Sequence, residues 1–195
     1  MALTSAAAAL AQAVPPLLAH GEWMRGAEPA SADLLHDTYN GLLAFVVPGR
    51  DEYSRHQGVT TDAPGGVDSG AVDALIATID ESTPYVPEFS VLIAGILNSI
   101  ALAINDAAAG PFVSPFARLS MGEKTMVFQF MDGDPAMKVI AGVLPAFVAF
   151  FVYSEAGVFD PATRSLTGEP LGWTLSKYQG VADGRNAFLG YFGGK

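Results

Sequence analysis

Arg50-Asp51-Glu52-Tyr53-Ser54-Arg55-His56-Gln57 is the densest run of functional groups in this chain of 195 residues. Two readings fit it. In one, His56 is a general base oriented by Asp51 or Glu52, with Tyr53 or Ser54 as its proton-transfer partner. In the other, the run is a solvated loop laced by local ion pairs, and no G-x-S-x-G elbow surrounds Ser54 to mark it as a nucleophile. The remaining histidines, His20 and His36, do not stand three or four residues from each other or from His56. No helical metal pair is therefore expected. Cysteine is absent, which excludes disulfides, thiolate metal sites and thiol nucleophiles. The glycines form neither G-x-G-x-x-G nor G-x-x-x-x-G-K-[ST], so no cofactor is expected to bind this chain through a phosphate cradle.

The elements that must position these groups come from an apolar, acidic composition. Half of the residues are hydrophobic and 15% are charged, with a formal charge of −10. Such a chain packs rather than remaining disordered. Its negative charge opposes phosphate backbones and anionic lipid surfaces, so nucleic acid is not an expected partner. Phe89 to Ile104 and Val139 to Tyr153 approach membrane hydropathy, at 16 and 15 residues. Both fall short of the roughly 20 that a span requires, and no span is expected. The apolar N-terminus has no Lys or Arg before Arg25 and reads as a mature helical segment broken at Pro15-Pro16. A cytoplasmic location is expected, with export alongside a signal-bearing partner as the alternative.

Periodicity and punctuation predict an all-α fold, a single helical domain over 1–195 built as a bundle of five or six helices. Ser31 and Asp33 open a helix whose Leu34, Leu35, Tyr39, Leu42, Leu43 and Val46 share one face before Pro48-Gly49. Val72, Leu75, Ile76 and Ile79 follow i, i+3, i+4, i+7, with Asp68 or Ser69 as cap. Pro87 opens a helix to about Ala108, apolar around its circumference and therefore expected to be central. Ser120 and Glu123 match a capping box for a helix to about Met131. Asp134-Pro135 begins a second fully apolar helix to about Glu155, kinked by Pro145 and also expected to be buried. Two segments escape the helical pattern: a long loop over 48–70 and an irregular Gly- and aromatic-rich stretch over 158–195.

In that last stretch Trp173, Tyr178, Tyr191 and Phe192 alternate with turn residues. They serve equally as a second small core or as interface anchors. Their setting carries a resemblance: Phe116-x-x-Leu119-Ser120 before a capped helix, an apolar helix ending Tyr153-Ser154-Glu155, then Gly172-Trp173, Tyr178-x-Gly180 and Gly190-Tyr191. Over residues 87–194 this order resembles the small third-subunit family of gluconate dehydrogenase. Those proteins are helical partners of large glucose-methanol-choline type flavoproteins. The resemblance implies a non-catalytic accessory subunit whose partner holds FAD, with Trp173, Tyr178, Tyr191 and Phe192 as candidate partner-binding residues. Members often carry a twin-arginine signal, and no Arg-Arg pair occurs here. The alternative is a stand-alone helical enzyme or carrier with an apolar pocket for a hydrophobic small molecule such as a terpenoid or sterol. In that case His56, Tyr53 and Glu155 are the catalytic candidates, with Arg55 and Tyr153 as further polar groups.

Overall fold

Local side-chain caps set half of the described helix starts in the computed structural model, which describes residues 31–155, 158–160 and 162–178. Ser31 Oγ accepts the Leu34 N–H at 3.2 Å and begins α1, Ala32–Val46. Asp51 caps a one-turn α2, Glu52–His56, inside the segment expected to be a loop. A 3₁₀ turn follows at Val67–Ser69, and then α3 at Val72–Ser82. The predicted Asp68 or Ser69 cap of α3 does not form. Ala71 stands at that position without a side-chain cap, and Ser69 Oγ instead accepts the Ala71 N–H.

Helix α4 spans Phe89–Ile104, shorter at both ends than the predicted 87–108. Glu88, at φ 56°, occupies its cap position and provides no side-chain bond. The cap comes from α3: the Asp80 carboxylate accepts the Ser90 N–H at 2.8 Å and the Ser90 hydroxyl at 3.0 Å. A carboxylate facing the exposed N–H groups of a helix start is favourable in both hydrogen bonding and dipole terms. Short α5, Pro115–Arg118, is capped by Ser114, and α6, Met121–Gly133, carries the predicted capping box. Asp134 does not start the next helix directly. Its side chain accepts the Ala136 N–H in a turn, and α7 runs Lys138–Tyr153 with Pro145 inside it.

The fold is all-α with one small exception, a hairpin pairing β1, Phe159–Asp160, with β2, Ser165–Leu166, before α8 at Leu171–Ser176. Helix α1 packs against α2, α3, α4, α5 and α7, and α6 packs against α4 and α7. The core joins Tyr39, Leu42 and Leu43 of α1, Ile93, Leu97 and Ile100 of α4, and Leu144, Phe147 and Val148 of α7. The expected central position of α4 holds. For α7 it needs correction: one face enters the core, while Val139, Gly142, Ala146, Phe150 and Tyr153 are all exposed. An apolar circumference does not by itself supply enough neighbours to cover it.

The 48–70 segment folds back on itself instead of extending. Gly66 N–H donates to the Val47 carbonyl, and Thr61 N–H to that of Gly49. A Cβ on Gly49 would lie 2.3 Å from Gly65 N, so the two strands of this loop can meet only as glycines. Gly172 is equally constrained. A Cβ there would lie 2.3 Å from the Tyr153 carbonyl oxygen, which seats α8 directly on the end of α7.

In the capping box, Ser120 Oγ accepts the Glu123 N–H while Glu123 Oε2 accepts the Ser120 N–H at 2.8 Å. Ser120→Ala should therefore lower stability by about 1 kcal/mol in denaturant unfolding. A change of no more than a few tenths would show that the box contributes nothing.

Candidate functional site

The 50–57 cluster is held by bonds that occupy its reactive groups. Ser54 is fully buried. Its hydroxyl donates to Asp51 Oδ2 at 2.7 Å and accepts the Gly49 N–H at 2.9 Å. Tyr53 donates its hydroxyl to Asp37 Oδ1 at 2.6 Å and stacks on Phe112 at 4.1 Å between ring centroids. Burial, then the hydrogen bond to Asp37 and its charge, push the Tyr53 phenol well above its usual value. A phenol so placed holds its proton and ties α1 to α2.

His56 Nε2 lies 2.9 Å from the Arg118 carbonyl. A carbonyl only accepts, so Nε2 carries the hydrogen in this bond. The ring meets Phe112 edge-on at 5.3 Å. Asp51, one of the two acids expected to orient it, is occupied with Ser54, and Glu52, the other, is exposed. Glu155 is exposed just past α7, and no bond joins it to His56 or Tyr53 among the described residues. The structure thus uses this cluster as a clasp between α1, α2 and the segment from Phe112 to the end of α5. Elsewhere His36 pairs with Asp73 at 3.1 Å on the surface. Among the described residues no group of three His, Asp or Glu side chains is arranged to hold a metal ion.

Lys124 is the functional-looking group that sequence reasoning missed. It is fully buried. Its Nζ donates to Gln57 Oε1 at 2.8 Å and to the Gly41 carbonyl at 3.2 Å, 5.4 Å from the centre of the Phe116 ring. Burial lowers its pKa to about 7, partly offset by the charge of Asp51. The sequence signal was faint: Lys124 shares the buried face of α6 with Val127 and Met131, where a lysine normally reads as solvated.

The partner-binding candidates divide. Trp173 is half-buried in α8 and meets Tyr178 edge-on at 5.4 Å, so these two rings form one cluster at the end of α7. Tyr191 and Phe192 lie outside the described residues.

A larger apolar surface lies on α6 and α7. The exposed positions Val139, Gly142, Ala146, Phe150 and Tyr153 advance by three or four residues and form one stripe along α7. Tyr153 is 51% exposed and Phe150 37%, and no charged residue occurs from Val139 to Ser154. On α6, Met126 and Phe130 are also about half exposed, at 51% and 48%. Beside the stripe is an open groove of about 270 Å³, lined by Phe45, Phe128, Gln129, Asp132, Ala141 and Gly142. Phe45 and Phe128 stack at 5.2 Å within that lining. Among the described residues no helix is long and apolar enough to cross a membrane.

Comparison with family models, with curated proteins and with solved structures finds no match.

Lys124 gives a pH test. Its folded pKa is depressed, so between about pH 7 and pH 10 the unfolded chain holds a proton that the folded chain lacks, and stability rises with pH across that window. The slope from one such group is at most about 1.4 kcal/mol per pH unit. Lys124→Met should remove this component from unfolding free energies measured at several pH values. An identical slope in both proteins would contradict a neutral buried amine.

Proposed function

We propose that this chain is a non-catalytic helical subunit that binds and stabilises a large flavin-dependent oxidoreductase subunit of the glucose-methanol-choline type, with FAD held by the partner. The observation that carries the reading is the exposed, uncharged stripe of α7. Exposed contiguous apolar surface of this kind marks association sites, and Tyr and Phe are frequent anchors at their centres. The order of motifs over residues 87–194 supplies the partner class. The occupied hydroxyls of Ser54 and Tyr53 weigh against the catalytic alternative, since neither is poised to exchange a proton with a substrate. The groove beside the stripe is open to solvent, unlike the enclosed pocket that a hydrophobic carrier needs. In this reading the compartment is the partner's, either cytoplasmic or reached by export alongside a signal-bearing subunit.

Purification of the native protein with its associated chains should yield a large subunit and a flavin absorbance spectrum, whereas the chain expressed alone should be colourless. Tyr153→Ser and Phe150→Ala remove side chains that stand partly in solvent. Each should weaken the complex by roughly 2 kcal/mol, the scale of an aromatic interface anchor, with less effect on unfolding of the isolated chain. A native preparation with no large flavoprotein, or variants that unfold the chain without touching association, would reject the subunit reading.

A further inference from the structure

The groove between α6 and α7 differs from the stripe beside it in one respect: it places a carboxylate at the edge of an apolar hollow. Its lining combines the stacked Phe45 and Phe128 rings and the small Ala141 and Gly142 with polar Gln129 and Asp132. Asp132 is exposed, and among the described residues its carboxylate makes no hydrogen bond or ion pair. A Cβ built on Gly142 would meet no atom within 4 Å, so the wall on the α7 side is open to close approach. The groove's volume suits one or two large side chains and not a whole cofactor. Asp132 is the charged residue of the lining and the whole chain carries a formal charge of −10, which favours a basic visitor over an acidic one.

We infer that this groove receives an amphipathic helix of the large partner subunit, inserting one bulky apolar side chain against Phe128 and Gly142 and setting a Lys or Arg one turn away beside Asp132. Helices dock in grooves through anchors spaced at three or four residues, and the charge fixes orientation more than it adds affinity. The inference rests on the subunit reading for the identity of the partner. The geometry of the groove stands apart from it.

The test has two arms. In the first, Gly142→Trp fills the groove from open space, and the native complex should lose at least tenfold in affinity while the isolated chain keeps its melting temperature. In the second, two short helical peptides with one Phe anchor are added to the full chain, one bearing Lys a turn from the anchor and its twin bearing Glu. The Lys peptide should shift the amide resonances of Phe128, Ala141 and Gly142, and the Glu twin should not. Asp132→Lys should reverse that preference. An unchanged complex in Gly142→Trp overturns the groove inference, and because Gly142 also belongs to the α7 stripe, Tyr153→Ser and Phe150→Ala, which lie outside the groove lining, then decide whether the subunit reading stands. If no flavoprotein accompanies the native chain but the Lys peptide still selects the groove, the subunit reading fails and the groove's chemistry holds. Equal response to both peptides, no response to either, or self-association of the free chain that Gly142→Trp abolishes would each overturn the inference, the last by making a second copy the occupant.

Discussion

Asn98 sits in the middle of the most deeply buried helix, and satisfying its amide dictates how one end of the bundle is built. A buried amide without partners would cost several kcal/mol. Its Nδ2 donates to Thr38 Oγ1 and to the Ala94 carbonyl, each at 2.9 Å, while its Oδ1 accepts the Ser114 hydroxyl at 2.7 Å and the Phe116 N–H at 3.0 Å. Both donors and both acceptor sites are used. Three of these bonds, to Thr38, Ser114 and Phe116, fix α4 against α1 and against the start of α5, where Ser114 also caps the helix through the Ala117 N–H. Downstream, α5 carries Phe116 to the Lys124 amine, so the second buried polar junction depends on the first.

With α1, α4 and α5 tied in this way, α7 has one side on which to find neighbours. Leu144, Phe147 and Val148 enter the core, and α8 closes against the end of the helix through Gly172. Among the described residues nothing covers the opposite, apolar stripe. A helix of this composition gains by burying its second face, at about 25 cal/mol per Å² of apolar surface removed from solvent. The pressure toward association is therefore built into α7, while the charges of the chain lie elsewhere and set which partners are tolerated.

Legibility in the sequence followed the range of the interactions. The Ser31 cap, the Ser120–Glu123 box and the face of α3 were readable because their partners lie within one turn. The Asp80 cap of α4 was not, since it joins residues ten positions apart through tertiary packing. Helix α2 was hidden because a single turn after Pro48-Gly49 has the composition of a loop. Of the candidate site, the grouping of Tyr53, Ser54 and His56 was visible, but not that the two hydroxyls and His56 Nε2 are engaged with Asp37, Asp51 and the Arg118 carbonyl. The apolar character of α7 was fully legible. Which of its faces the chain covers was not, because a pattern that is hydrophobic all round gives no direction.

Whether the α7 stripe is covered in the proposed complex is read directly by hydroxyl-radical footprinting of the natively purified protein against the isolated chain. The predicted result is strong protection of Met126, Phe150 and Tyr153 in the complex, with exposed Tyr85, in the turn between α3 and α4, oxidised equally in both samples. Equal oxidation of Phe150 and Tyr153 in complex and free chain would contradict the central claim.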